Sequence, residues 1–203
     1  MRVDRCFAFI DLCGFTAYTE ENGDEEAVLL LAGFRTSLRE AAARRGVRIV
    51  KWLGDGAMLS STMPDAVIAL VVETDHQLER TSATLSLRAG MDVGPVIMFE
   101  GDDYIGRPVN VAARLCDVAG PRKLLATDAV TLERPEWVST SPAGVFEVKG
   151  FSNGINTALL GLSPSNGDAV HDPICGLPVP RGSSIRGGRG ERFCSEACAG
   201  ARR

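Results

Sequence analysis

Apolar residues in this chain come in short runs whose period changes along the sequence. In "RVDRCFAFIDL", Cys6 to Ile10 form an unbroken apolar run of strand length, as a buried strand requires. In "ENGDEEAVLLLAGFRTSLREAAARRG" the period becomes helical. Leu30, Phe34 and Leu38 recur every fourth residue, Asp24 stands at the start as N-cap, Glu25 and Glu26 fill the first turn, and Arg44, Arg45 and Gly46 close the end. Residues 47 to 53 and 57 to 60 are two more apolar runs, joined by Gly54-Asp55-Gly56, which predicts a hairpin. A second helix is predicted over "MPDAVIALVVETDHQLER", with Pro64 near its start. "LSLRAGMDVGPVI" alternates as a strand, "VNVAARLCDVAG" is a helix ending at Gly120, and "KLLAT", "FEVKG" and "NTALLGL" are short strands. The order β-α-β-β-α-β, followed by further elements, predicts an α+β fold: an antiparallel or mixed sheet with helices on one face.

The pattern stops at Ser163. "SPSNGDAVHD" and "PRGSSIRGGRGER" are rich in Ser, Gly, Pro and Arg, so residues 1–162 are expected as one domain, 163–170 as a linker and 171–203 as a separate tail. A net charge of -4 excludes a general nucleic-acid or membrane-surface role, since both need basic surface. No apolar run approaches the ~18 residues of a membrane span. The N-terminus lacks a signal-peptide pattern, which predicts a cytoplasmic protein. In that compartment the six cysteines are expected as free thiols or metal ligands.

Three groups of residues carry chemistry. Asp11 ends the first strand and Asp55 tips the hairpin. On neighbouring strands both emerge at one sheet edge, where two carboxylates repel unless a cation lies between them. Hard oxygen ligands of this kind suit Mg²⁺. Asn110 and Arg114 stand four apart in "DDYIGRPVNVAARL", hence on one helix face, an amide beside a planar phosphate binder. In the tail, Cys175, Cys194 and Cys198 are spaced C-x18-C-x3-C, with His171 four residues earlier. Three thiolates and one imidazole complete a tetrahedral Zn²⁺ site. Cys6, Cys13 and Cys116 sit in apolar stretches as small hydrophobes.

Taken together, "FAFIDLCGFTAYTE", "VKWLGDGAML", "LRAGMDVGPVI", "GDDYIGRPVNVAARL" and "FEVKGF" resemble, in order, the class III adenylate and guanylate cyclase catalytic domain, in its bacterial, mycobacterial-type form. The resemblance implies a ferredoxin-like α/β sandwich and head-to-tail homodimers with two composite sites. It implies that Asp11 and Asp55 bind two Mg²⁺ or Mn²⁺ ions. Lys51 and Asp103 (or the adjacent Asp102) would read adenine, Asn110 orient the ribose, Arg114 stabilise the transition state and Lys149 contact the terminal phosphates. Lys51 donates and Asp103 accepts, which matches the edge of adenine and mismatches that of guanine. The implied reaction is ATP to cyclic AMP and pyrophosphate. The rival expectation is a catalytically silent cyclase-like domain that binds nucleotide or a partner while the tail senses metal. The segments "DPICGLPV" and "RFCSEAC" resemble the YHS/TRASH type of small metal-binding module.

Overall fold

The computed structural model describes residues 1–81, 84–99, 103–147, 154–164 and 167–201. The apolar run at Cys6 is the middle of β1 (Arg2–Cys13), the strand around which the sheet is built. It leads into α1 (Phe15–Asn22) and α2 (Asp24–Arg45), then the hairpin β2 (Arg48–Leu53) and β3 (Gly56–Ser61). Next come α3 (Pro64–Thr81), β4 (Ser86–Phe99), β5 (Asp103–Ile105), α4 (Arg107–Val118), β6 (Leu124–Thr127), α5 (Asp128–Thr131), β7 (Val138–Phe146) and β8 (Ile155–Leu162). The strands lie in the order β2-β3-β1-β4-β6-β8-β7, with β5 paired to β4. All described pairings are antiparallel except β4 with β6.

Successive side chains on a strand point to opposite faces, and β1 uses both. Cys6, Ala8, Ile10 and Leu12 join the cluster formed by α2 and α3, whereas Phe7 joins Met58, Val96, Tyr104 and Ala112 under α4. The sheet is therefore covered on both faces, and not on one as the element order suggested. An unbroken apolar run is what a strand buried on both sides needs. α1 was not foreseen because "FTAYTEEN" has no apolar period and buries no residue. Gly23, at φ 86°, takes the cap expected of Asp24, which becomes the first helical residue; its charge still faces the positive end of the helix.

The tail adds β9 (Ala169–His171), β10 (Pro178–Pro180), β11 (Ile185–Arg186), β12 (Arg192–Phe193) and α6 (Glu196–Gly200). Its Cys175, Leu177, Val179, Phe193, Cys194 and Cys198 are buried in the same apolar cluster as β1 and α3. The break in composition at Ser163 is thus not a break in packing. No helix among the described residues is long and apolar enough to cross a membrane.

One half-buried carboxyl on α3 gives a stability prediction. Burial, reinforced by the charge of Glu79, pushes the Asp75 carboxyl on α3 up to about 6. A carboxyl whose folded value is raised contributes stability only while protonated; that contribution is lost as pH climbs through the folded value. Asp75→Asn keeps an acceptor and discards the charge. Chemical denaturation should find the variant more stable than the parent by about 1 kcal/mol at pH near 8, with no difference near pH 4.

Candidate active site

The hairpin tip is placed by two glycines. Gly54, at φ 63°, adopts the left-handed conformation that a side chain resists. Gly56 needs its missing side chain for room, because a Cβ there would lie 2.3 Å from the Ile10 carbonyl oxygen and 3.3 Å from the Asp11 Cα. The turn therefore closes directly against the end of β1. β3 pairs with β1 in the register Ile10 to Ala57, so Asp55 emerges beside Asp11. The two carboxyls are close enough to share a hydrogen bond, and burial together with the Asp11 charge raises the Asp55 carboxyl above its usual range.

Arg88 is the site residue that the sequence reading missed. It stands directly opposite Asp11 in the β1–β4 ladder. Its Nε and Nη2 donate to the same Asp11 oxygen, Oδ2, at 2.9 and 2.5 Å, and its Nη1 donates to the Asp117 carbonyl at 3.3 Å. Cross-strand position was the only signal that could have found it, and it depends on a register that periodicity does not give. Asp11, Asp55, Arg88 and the start of α1 (Phe15, Thr16, Ala17) line an open cavity of about 460 Å³. Two converging carboxylates with one guanidinium form a hard-oxygen donor set at a helix N-terminus, a setting that suits a divalent cation carrying phosphate.

A second pair lies on the strands leading away from this cavity. Lys51 Nζ of β2 donates to Asp103 Oδ1 of β5 at 2.9 Å, and both side chains are half exposed. The lysine holds the Asp103 carboxyl below its usual range. Asn110 and Arg114 share the exposed face of α4, while Val111, Ala112 and Leu115 on the other face are fully buried. Among the described residues Arg114 reaches only Asp117 of its own helix, at 3.3 Å, and neither Arg114 nor Asn110 lines the Asp11–Asp55 cavity. Asp102 and Lys149 lie outside the described residues.

The tail cysteines converge. The Cys194 sulfur is 3.6 Å from those of both Cys175 and Cys198, where ligands ~2.3 Å from a tetrahedral zinc stand ~3.8 Å apart. The fourth group of this cluster is Asp172, not His171; ligand atoms of Asp172, Cys175, Cys194 and Cys198 all fall within 4.8 Å of one another. The reason is strand alternation. His171 ends β9 on its exposed side, and the next residue turns inward. Asp172 is 1% exposed and accepts backbone N–H bonds from Ile174 and Cys175 through Oδ1, at 2.8 and 3.2 Å, and from Cys194 through Oδ2, at 2.7 Å. It thereby fixes both cysteine-bearing loops. Hydrogen bonds from Cys175 and Cys198, with the Arg45 guanidinium beside them, hold the Cys194 thiol far below its usual range. Two of the other cysteines behave as expected of small hydrophobes: Cys6 is fully buried, and burial pushes the Cys116 thiol up to about 12. Cys13 does not; at the end of β1 it is half-buried and lines the Asp11–Asp55 cavity.

Residues 3–161 match the sequence family of the adenylate and guanylate cyclase catalytic domain. An uncharacterized protein of Mycobacterium tuberculosis is 34% identical over 162 residues, which cover 79% of this chain and 42% of that protein. A pH-sensitive adenylate cyclase of Mycobacterium tuberculosis is 38% identical over 129 residues, 61% of this chain and 30% of that one. The chain thus spans well under half the length of these curated relatives. Among solved structures, the adenylyl cyclase CyaB from P. aeruginosa superposes with a TM-score of 0.71 at 24% identity, over 81% of this chain and 96% of that one, a likeness of fold.

Proposed function

We propose, for a chain that belongs to the adenylate and guanylate cyclase catalytic-domain family, that it converts ATP to 3′,5′-cyclic AMP and pyrophosphate in sites shared by two copies of itself. The observation that carries the reading is the convergence of Asp11 and Asp55 at one sheet edge, against the start of α1. These carboxylates fit Mg²⁺ or Mn²⁺, two per site in this reading. A divalent cation held there supplies the positive charge that acidifies the ribose 3′-hydroxyl and offsets the phosphate charge. The N-terminus of α1 orients the phosphates through its free N–H groups. Lys51 donates to adenine N1 and Asp103 accepts from the 6-amino group, the pair being already held in line at 2.9 Å. The 3′-oxygen attacks the α-phosphorus and pyrophosphate leaves.

Asn110, which orients the ribose, and Arg114, which meets the charge growing on the α-phosphoryl oxygens, come from a second copy of the chain, as do the Lys51 and Asp103 that read the base, so Asp55 and Lys51 of one chain serve different sites. None of these four lines the Asp11–Asp55 cavity, which supports that division. So do Ile97, Phe99 and Ile105, apolar side chains about half exposed on β4 and β5, the surface a partner would cover. Lys149 is assigned to the terminal phosphates. In the tail we assign Zn²⁺ to Cys175, Cys194 and Cys198, with Asp172 in the place first given to His171.

The test is direct. Purified protein with Mn²⁺ should release cyclic AMP from ATP and far less cyclic GMP from GTP; a folded dimer that releases neither is the silent domain of the rival reading. Lys51→Glu with Asp103→Cys inverts the hydrogen-bonding pattern presented to the base. Its ATP turnover should fall by about 10²-fold or more, and an unchanged rate would remove the base-reading assignment.

A further inference from the structure

The tail cysteines are joined to the cyclase layer by a buried guanidinium. Arg45, the last residue of α2, is 5% exposed. Its Nη2 donates to Cys194 Sγ at 3.2 Å, its Nη1 to Ser195 Oγ at 3.4 Å and its Nε to Glu73 Oε2 at 2.7 Å. Glu73 on α3 is fully buried and also bonds Arg44 and Gln77. A buried guanidinium is costly unless its donors are met by charged acceptors. Glu73 meets one side of Arg45, and among the described residues only sulfur and a hydroxyl meet the other. A metal held by Cys175, Cys194 and Cys198 ties the segments that carry them together. Cys194 and the adjacent Ser195 are the acceptors of the outer Arg45 donors, so occupancy of the tail site decides how firmly those acceptors, and with them the end of α2, are held.

The same helix holds the hairpin that carries Asp55. Arg35 lies ten residues before Arg45, about 15 Å along the axis at 1.5 Å per residue. Its Nη2 donates to the Gly54 carbonyl at 2.6 Å. Arg35 and Arg39 also stand over the Trp52 ring, 4.8 and 5.0 Å from its centre. Trp52 lies between Lys51 and Gly54-Asp55, so one rigid rod connects the cysteine cluster to β2 and the turn of the nucleotide-facing hairpin. Leu38, Ala41 and Ala42 pack its middle into the core, which makes it move as a unit.

We propose that Arg45 couples the tail metal site to the active-site hairpin: a bound metal anchors α2 through Arg45, and α2 then fixes Gly54 and Trp52 through Arg35 and Arg39. This rests on the metal reading of the tail and adds a regulatory role to it. Arg45 and Arg35 act here as positioning residues.

The experiment uses the full chain and needs no turnover. Zinc content is measured first, then backbone hydrogen exchange across residues 52–56 with zinc bound and after chelation. In the parent, chelation should speed exchange there by about tenfold, within the usual range for coupled sites. In Arg35→Met, which leaves the cysteine cluster intact, zinc should still bind and the hairpin should exchange at one fast rate, within about twofold, with or without it. Arg45→Met with Glu73→Gln, which removes both buried charges together, should lose zinc faster to a chromophoric chelator and also show no zinc effect on the hairpin. A chain that takes up no zinc overturns the metal reading and this proposal with it. A chain that binds zinc but whose hairpin exchanges equally with and without it overturns the coupling alone, as does an Arg35→Met variant that still responds to zinc.

Discussion

Asp55→Asn should abolish cyclic AMP formation, by about 10³-fold or more, while leaving the protein at least as resistant to heat as its parent. Both halves of that expectation come from one geometry. Asp55 is pressed against Asp11 by a turn whose Gly56 cannot carry a side chain, and burial plus the neighbouring charge make its ionised form unfavourable. Removing the charge relieves repulsion that the fold otherwise tolerates. A site kept under strain for its chemistry is where activity and stability part company. The measurement is a cyclic AMP assay beside a thermal melt. A melt lower by several degrees would mean that Asp55 serves the fold; retained activity would mean that it does not hold the cation. Asp11→Asn should lose activity equally but melt lower, because Arg88 would be left without its carboxylate.

Periodicity and turn chemistry carried much of this architecture. The apolar run at Cys6, the four-residue spacing of Leu30, Phe34 and Leu38, and the Gly54-Asp55-Gly56 turn each encode a local conformation, and each folds as its pattern requires. What the pattern could not encode was partnership across elements. Arg88 lies opposite Asp11 only because of a strand register set by the whole sheet. α4 covers the face opposite α2 and α3 although its own amphipathic pattern would serve on either side. In the tail the cysteines were legible from spacing, whereas their fourth neighbour depended on which side of β9 faces inward, a one-residue question that flips every side chain. Arg45 was read as a helix-closing charge, and it is that as well. Its contact with Cys194, 149 residues away, has no local signature at all.

Mixing two inactive variants should restore activity. Asp55→Asn damages the carboxylate half of each site and Arg114→Ala the guanidinium half. Arg114 is well exposed and, among the described residues, bonds only Asp117 of its own helix, so its removal leaves the fold intact and each homodimer silent. If the halves come from different copies, a mixed dimer has one site with Asp55 from one chain and Arg114 from the other, both intact, and a second site lacking both. Random reassortment of equal amounts makes half of all dimers mixed, so about a quarter of the parent's sites return, the arithmetic of a two-fold interface. A site complete within one chain predicts no recovery, since every chain present would lack one residue. Recovery near a quarter, rising as one variant is titrated into a fixed amount of the other and then saturating, would assign Asp11 and Asp55 to one copy and Arg114 to its twin. No recovery despite demonstrated subunit exchange would leave Arg114 with its own helix and remove the shared site.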